Sequence, residues 1–147
     1  MFPRGLILAV IIGMIAGAIV GVLLVTQKNG ETLEFVEGYS LSIITDKIDF
    51  DEGEQIKIKI INSGTKPLTF SDASYGLAIT GLDGRVLYTP AATQIISILE
   101  PKEEKTLVWD QIKNDGEHAI AGTYKITSHA IDKEINVKKS ITINIHK

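Results

Sequence analysis

The sequence predicts an all-β protein: an antiparallel β-sandwich of seven to nine strands preceded by one N-terminal transmembrane helix. Two observations carry this. Leu6–Val25 is an apolar run without a charge. After residue 38, apolar residues recur at every second position in short stretches separated by Gly, Pro, Asn and Asp. Period two with frequent turn residues is the mark of half-buried strands, and no stretch beyond the run shows the i, i+3, i+4 stripe of a helix.

Residues 1–5 form a short leader, and 6–25 are the predicted span. At about 1.5 Å per residue, roughly 20 helical residues cross the ~30 Å hydrocarbon core. Within the run, Ala9, Gly13, Gly17 and Gly21 recur every four residues. On a helix they make a ridge with almost no side chain, along which a second helix can approach closely in lipid. Glycine is also common in membrane helices for no such reason. Arg4 is the one charged side chain before the run. The positive-inside bias therefore puts the N-terminus in the cytoplasm and the rest outside, as a single-pass cell-membrane protein. A cleaved signal peptide has a shorter apolar core and ends in a small-x-small site, which Leu24-Val25-Thr26-Gln27-Lys28 lacks, so an uncleaved signal anchor is expected. Arg4-Gly5 before the run resembles the processing site of archaeal pilin-type precursors.

Residues 26–37 are polar, with Asn29-Gly30 and three glutamates, and read as a short tether. Residues 38–147 form the sandwich. Leu41 and Ile43 alternate with serines, and Ile56, Ile58 and Ile60 alternate with Lys57 and Lys59. Asn62-Ser63-Gly64 turns the chain into a short strand through Leu68 and Phe70. Leu77 and Ile79 lead to a tight hairpin at Asp83-Gly84, from which Val86, Leu87 and Tyr88 return. Ile95, Ile96, Ile98 and Leu99 make a strand stopped by Pro101. Thr106–Gln111 carries Leu107 and Trp109 on one side. Tyr124, Ile126 and Ser128 share a parity, as do Ile141, Ile143 and Ile145. β-Branched isoleucine at the inward positions suits a pleated, half-buried surface.

Composition narrows the function. The chain has 147 residues, a net charge of −3, no cysteine and no basic run. Nucleic acid is not an expected partner. Disulfides, thiol nucleophiles and Cys-based metal sites are excluded. No G-x-S-x-G elbow and no phosphate-cradling glycine loop occurs, so an enzyme is not expected. The Ile- and Lys-rich, Cys-free composition fits an archaeal or bacterial chain.

Phe50-x-x-Gly53-Glu54-x-Ile56-x-Ile58-x-Ile60-x-Asn62 resembles the opening of many immunoglobulin-like extracellular modules. Asn62 through Leu68, Leu99-x-Pro101, Leu107-x-Trp109 and Gly122-Thr123-Tyr124 are similar to the intracellular proteinase inhibitor (BsuPI-type) family over about residues 40–130. The resemblance implies an immunoglobulin-like fold and, more distantly, protease inhibition. Ala121 departs from it, since proline usually precedes the Gly-Thr-Tyr turn. The membrane run departs too, since an inhibitor of cytosolic proteases needs no anchor.

Site candidates are few. Asp46, Asp49 and Asp51 crowd one predicted loop and could give a hard cation part of an oxygen cage, although the EF-hand spacing and closing Glu are missing. The plainer reading is a solvated turn. His118, His129 and His146 have no histidine partner at metal-ligand spacing, and with methionine only at Met1 and Met14 a blue-copper site is not expected. No cofactor is expected. Trp109 and Tyr124 are expected in the core, the Tyr124 hydroxyl closing a corner bond to backbone. The long loops Phe70–Gly76 and Lys113–Gly122 are the recognition candidates, through Phe70, Tyr75, Asp115, Glu117 and His118. The expected function is a non-enzymatic membrane protein whose extracytoplasmic sandwich binds protein, as an accessory subunit of a larger membrane or cell-envelope complex. Its partners are the lipid bilayer and other membrane subunits, with a homo-oligomer through the helix ridge as a second arrangement. A proteinase-inhibitor-like domain and a pilin-like or archaellum-associated component are the alternatives.

Overall fold

Isoleucine at alternate positions builds the first sheet. In β3 (Ile56–Asn62), Ile56, Ile58 and Ile60 are fully buried while Lys57 points to solvent. β1 (Leu41–Thr45) pairs with it antiparallel, Leu41 opposite Asn62, and β8 (Glu104–Trp109) pairs on the other side, Trp109 opposite Ile56. The computed structural model describes residues 33–131 and 135–147, and these contain ten strands and no helix.

The second sheet has five strands, ordered β2 (Asp49–Asp51), β10 (Asn136–His146), β9 (Gly122–Ile131), β5 (Ala78–Gly81) and β6 (Val86–Tyr88). A two-stranded sheet joins β4 (Leu68–Phe70) to β7 (Ser97–Leu99). Inward residues of the sheets, among them Ile43, Phe70, Ile79, Trp109, Ile126 and Ile143, make one core. This is an immunoglobulin-like sandwich: the chain crosses from the smaller sheet to the larger after β1 and back after β2, and β9 and β10 form the long antiparallel pair of the larger sheet.

Two expectations need correction. The acidic stretch at residues 49–51 is a strand and not a loop. Phe50 is buried, Asp49 and Asp51 point out, and β2 runs parallel to β10 in an otherwise antiparallel architecture. It brings the count among the described residues to ten, beyond the seven to nine expected, and one buried side chain gives no readable period. The strand expected over Ile95–Leu99 is only Ser97–Leu99, with Leu99 alone buried.

Strand directions define two ends. β1 and β10 both run away from the end where Leu41, Asn62 and Asn136 lie, because β1 continues into β2 and β2 is parallel to β10. The chain enters at this proximal end, where Val36 N–H donates to the Ser63 carbonyl at 2.9 Å. The distal end carries the β5–β6 hairpin, the loop before β9 and His146. Gly64 is fixed by close approach at the proximal end: a Cβ there would stand 2.1 Å from the Gly38 carbonyl oxygen. Among the described residues no helix is long and apolar enough to cross a membrane. Leu6–Val25, its ridge of Ala9, Gly13, Gly17 and Gly21, and tether residues 26–32 lie outside them.

Candidate interaction loop

The loop from Asp110 to Ala121 joins β8 to β9 at the distal end, and its own side chains hold it. Asp110 accepts the N–H of Ile112, and Asp115 accepts that of Glu117, each a short polar side chain closing a local turn. Lys113 N–H donates to the Glu117 carbonyl and Gly116 N–H to the Lys113 carbonyl, both at 2.9 Å. Ile112 and His118 make an isolated bridge across the loop. Asn114 ties it to the larger sheet: its N–H reaches the Leu87 carbonyl, and its side chain accepts the Thr89 N–H.

Gln111 anchors the loop from below. It is 1% exposed and takes a positive φ of 64°. Its Oε1 accepts the Gly53 N–H at 3.0 Å, and its Nε2 donates to the carbonyls of Asp51 and Glu54 at 2.8 and 2.9 Å. One side chain thus satisfies three backbone groups of the β2–β3 turn. Its carbonyl accepts the Ala119 N–H at 2.7 Å. Trp109, stacked on Tyr88 and edge-on to Tyr124, donates its indole N–H to the Ile112 carbonyl. Tyr124 closes the corner expected of it, its hydroxyl donating to the Ile120 carbonyl at 2.6 Å. Burial pushes the Tyr124 phenol up, so it remains a donor. Ala121 N–H donates to Glu52 Oε1.

The outcome is an apolar side chain displayed from fixed backbone. Ile120 is 74% exposed between Ala119, which is buried, and Ala121, whose amide is held. Asp115, Glu117 and His118 are exposed on the same loop. Asp110, Asp115 and Glu117 outnumber Lys113, which pairs with Glu117 at 3.4 Å and Asp115 at 3.6 Å, so the rim is acidic.

The other candidates fall elsewhere. Phe70 is fully buried in β4 and is a packing residue, in contrast to its expected recognition role. Tyr75 is half-buried, with its ring 5.3 Å from that of Phe70 and its carbonyl accepting the Ser128 hydroxyl. Loop 71–77 therefore sits near the end of β9, while loop 113–121 leads into its start. Six residues of strand, about 20 Å, separate Gly122 from Ser128, so the two loops form two surfaces. Beside loop 71–77, Asp72, Ser74, Thr89 and Gln94 line an open pocket of about 390 Å³.

Asp49 is engaged by its neighbours: its Oδ1 meets Asn144 Nδ2 at 3.0 Å and His146 Nε2 at 2.9 Å, which hold its carboxyl below the usual range. Asp46 and Asp51 are exposed. Among the described residues, no group of three or more His, Asp or Glu is placed to hold a metal ion.

Sequence reasoning missed Gln111 and Ile120. A glutamine at a strand end carries no pattern, and an isoleucine beside Gly-Thr-Tyr reads as core. No family model and no curated protein matches the chain. Among solved structures, the sporulation control protein Spo0M from Bacillus subtilis is similar at 12% identity over 76% of this chain and 51% of its own, with a TM-score of 0.45. Native alpha-2-macroglobulin from Escherichia coli, from domain MG7 to the C-terminus, is similar at 18% identity over 79% and 17%, TM-score 0.40. A β-glucosidase from Listeria innocua is similar at 11% over 74% and 16%, TM-score 0.39. The chain spans about half the length of the first and under a fifth of the other two. The fold assignment rests on strand order and register, and these likenesses add no functional weight.

Proposed function

We propose that this chain is a non-enzymatic, membrane-anchored interaction protein, an accessory subunit of a larger membrane or cell-envelope complex, whose sandwich binds a protein partner at its distal end. The observation that carries the reading is Ile120, 74% exposed on a loop whose backbone is fixed by Gln111, Tyr124 and Glu52. An apolar anchor on preorganised backbone loses little conformational freedom on binding, which is where interfaces gain affinity. The acidic rim selects a partner with an apolar pocket and a basic border. The predicted span Leu6–Val25 supplies the anchor.

The test is purification of the full-length native protein in mild detergent, with mass spectrometry of what accompanies it, beside Ile120→Asp. A defined set of membrane proteins that Ile120→Asp loses supports the reading. A protein that purifies alone, or a set indifferent to the substitution, removes it.

The same rigid loop favours a second reading, the proteinase-inhibitor-like one that the Gly122-Thr123-Tyr124 resemblance implies. An inhibitor presents an exposed side chain on backbone that stays put. Inhibition of a serine protease that Ile120→Asp abolishes would establish this reading instead.

A further inference from the structure

Exposed apolar side chains are unevenly distributed over the sandwich. Of thirteen large ones among the described residues, eight stand at the proximal end. Leu33, Phe35 and Val36 lie where the chain enters. Ile131 ends β9 and Ile135 precedes β10, at the end where Asn136 pairs with Ile131. Ile95, Ile96 and Ile98 follow the segment whose Thr93 carbonyl accepts the Ala73 N–H, and Ile98 precedes Leu99, whose carbonyl accepts the Asn62 side chain. Ile96 is 70% exposed. Isolated exposed isoleucines are ordinary, but a concentration of them at one end of a sandwich marks a contact surface.

The sequence says what lies nearest that end. Only residues 26–32 separate the apolar run ending at Val25 from Leu33. Fully extended, the step from Val25 to Leu33 reaches at most about 28 Å. That is about the length of β9, so the proximal end cannot stand far from the bilayer surface.

We propose that the proximal end of the sandwich rests on the lipid surface, with Ile95, Ile96 and Ile98 at the boundary between headgroups and acyl chains. The inference rests on the reading that Leu6–Val25 spans the bilayer. The charges at this end nearly balance: Glu34, Glu37, Glu100, Glu103 and Glu104 stand with Lys66, Lys102, Lys105, Lys138 and Lys139. The contact is therefore apolar and suits zwitterionic lipid; adding anionic lipid does not strengthen it. It leaves the distal loop, with Ile120, facing away.

The chain has no cysteine, so one introduced by Ile96→Cys or Ile120→Cys places a single nitroxide on the full-length protein in phosphatidylcholine vesicles. Ile98→Cys serves as a second proximal site, and unchanged melting of each variant verifies the fold. The expected result is a ratio of oxygen to water-soluble nickel accessibility several-fold higher at 96 and 98 than at 120. Equal, water-like ratios in protein that survives an alkaline carbonate wash overturn the lipid contact and leave the span standing. Shielding of 96 from both reagents overturns it in favour of a protein covering this end. Release of the protein by carbonate shows that Leu6–Val25 is no span and overturns both readings.

Discussion

The hydroxyl of Tyr124 donates to the carbonyl of Ile120 at 2.6 Å, linking a core ring to the large apolar side chain that is most exposed among the described residues. The ring packs edge-on against Trp109, so the corner bond fixes the backbone of Ile120 directly to the core. A loop tip is ordinarily among the least ordered parts of a sandwich. Here the β8–β9 loop has the core as its support.

Tyr124→Phe keeps the ring and removes the bond. The expected cost is about 1–2 kcal/mol, for a lost hydrogen bond and a carbonyl left without its donor. Denaturant unfolding measures that cost. Hydrogen exchange should show a larger local effect, with the Ala121 amide losing protection ahead of the strand amides. A variant that unfolds earlier while the loop amides keep their protection would show that Glu52 and Gln111 suffice to hold the loop.

Gln111 combines a left-handed backbone with three side-chain bonds to the β2–β3 turn. A positive φ at a non-glycine residue costs on the order of 1–3 kcal/mol and persists only where the surroundings impose it. Gln111→Ala keeps that strain and leaves the Gly53 N–H and the Glu54 carbonyl without their partner, while the Asp51 carbonyl keeps the Glu54 N–H, so about 2 kcal/mol of stability should go. Gln111→Gly loses the same bonds but relaxes the backbone, and should stand about 0.5–1 kcal/mol above the alanine variant despite glycine's freer unfolded state. Equal stabilities of the two would mean that φ contributes nothing here.

These two residues show where sequence reading succeeds and stops. Tyr124 was legible because Gly122-Thr123-Tyr124 opens a strand of fixed parity, and a tyrosine there has a backbone carbonyl within reach. The alternations of Ile56–Ile60 and Ile141–Ile145 were legible because period two over five or more residues has one physical meaning. β2 was not, since a parallel pairing between Asp49–Asp51 and Asn144–His146 is a relation across nearly a hundred residues and leaves no local trace. Phe70 and Ile96 misled in opposite directions. Both sit where an apolar strand borders a polar loop, and only the third dimension decides which faces the core.

The acid side of the stability profile follows from Asp49 and Glu54. The bonds from His146 and Asn144 lower Asp49 from 3.8, and those from Lys47 and Asp51 lower Glu54 from 4.5. A carboxyl lowered by folding stabilises the protein above its unfolded value, and the contribution is lost as pH falls through the folded value. Melting temperature should hold from neutral pH into the mildly acidic range and fall below the unfolded values. Both groups are solvent-exposed and screened, so each effect is modest. Lys47, raised by Glu54, has the opposite sign: its share is present below 10.5 and is lost as pH rises through the folded value. Asp49→Asn should melt below wild type at pH 7 and converge with it at the acid extreme. A constant gap across the range would assign the Asp49 contribution to packing.

Phe70 and Ile96 supply the sharpest contrast between pattern and placement. Phe70 is fully buried, its ring against Tyr75, at the junction of β4 with the core. Phe70→Ala removes a whole ring that well-packed neighbours cannot replace, and about 3–5 kcal/mol should be lost. Ile96 is exposed on the sandwich itself, so apart from any contact with detergent Ile96→Ser should change the stability by no more than about 0.5 kcal/mol. Both are measured in one denaturant series with the unfolding slope compared, because a slope change would report an altered unfolded state instead of a lost contact. A large loss at Ile96 would mean that this side chain is covered in the folded protein, by lipid-like detergent or by a second chain. The same series in two detergents of different chain length separates those cases, since only the first depends on the detergent.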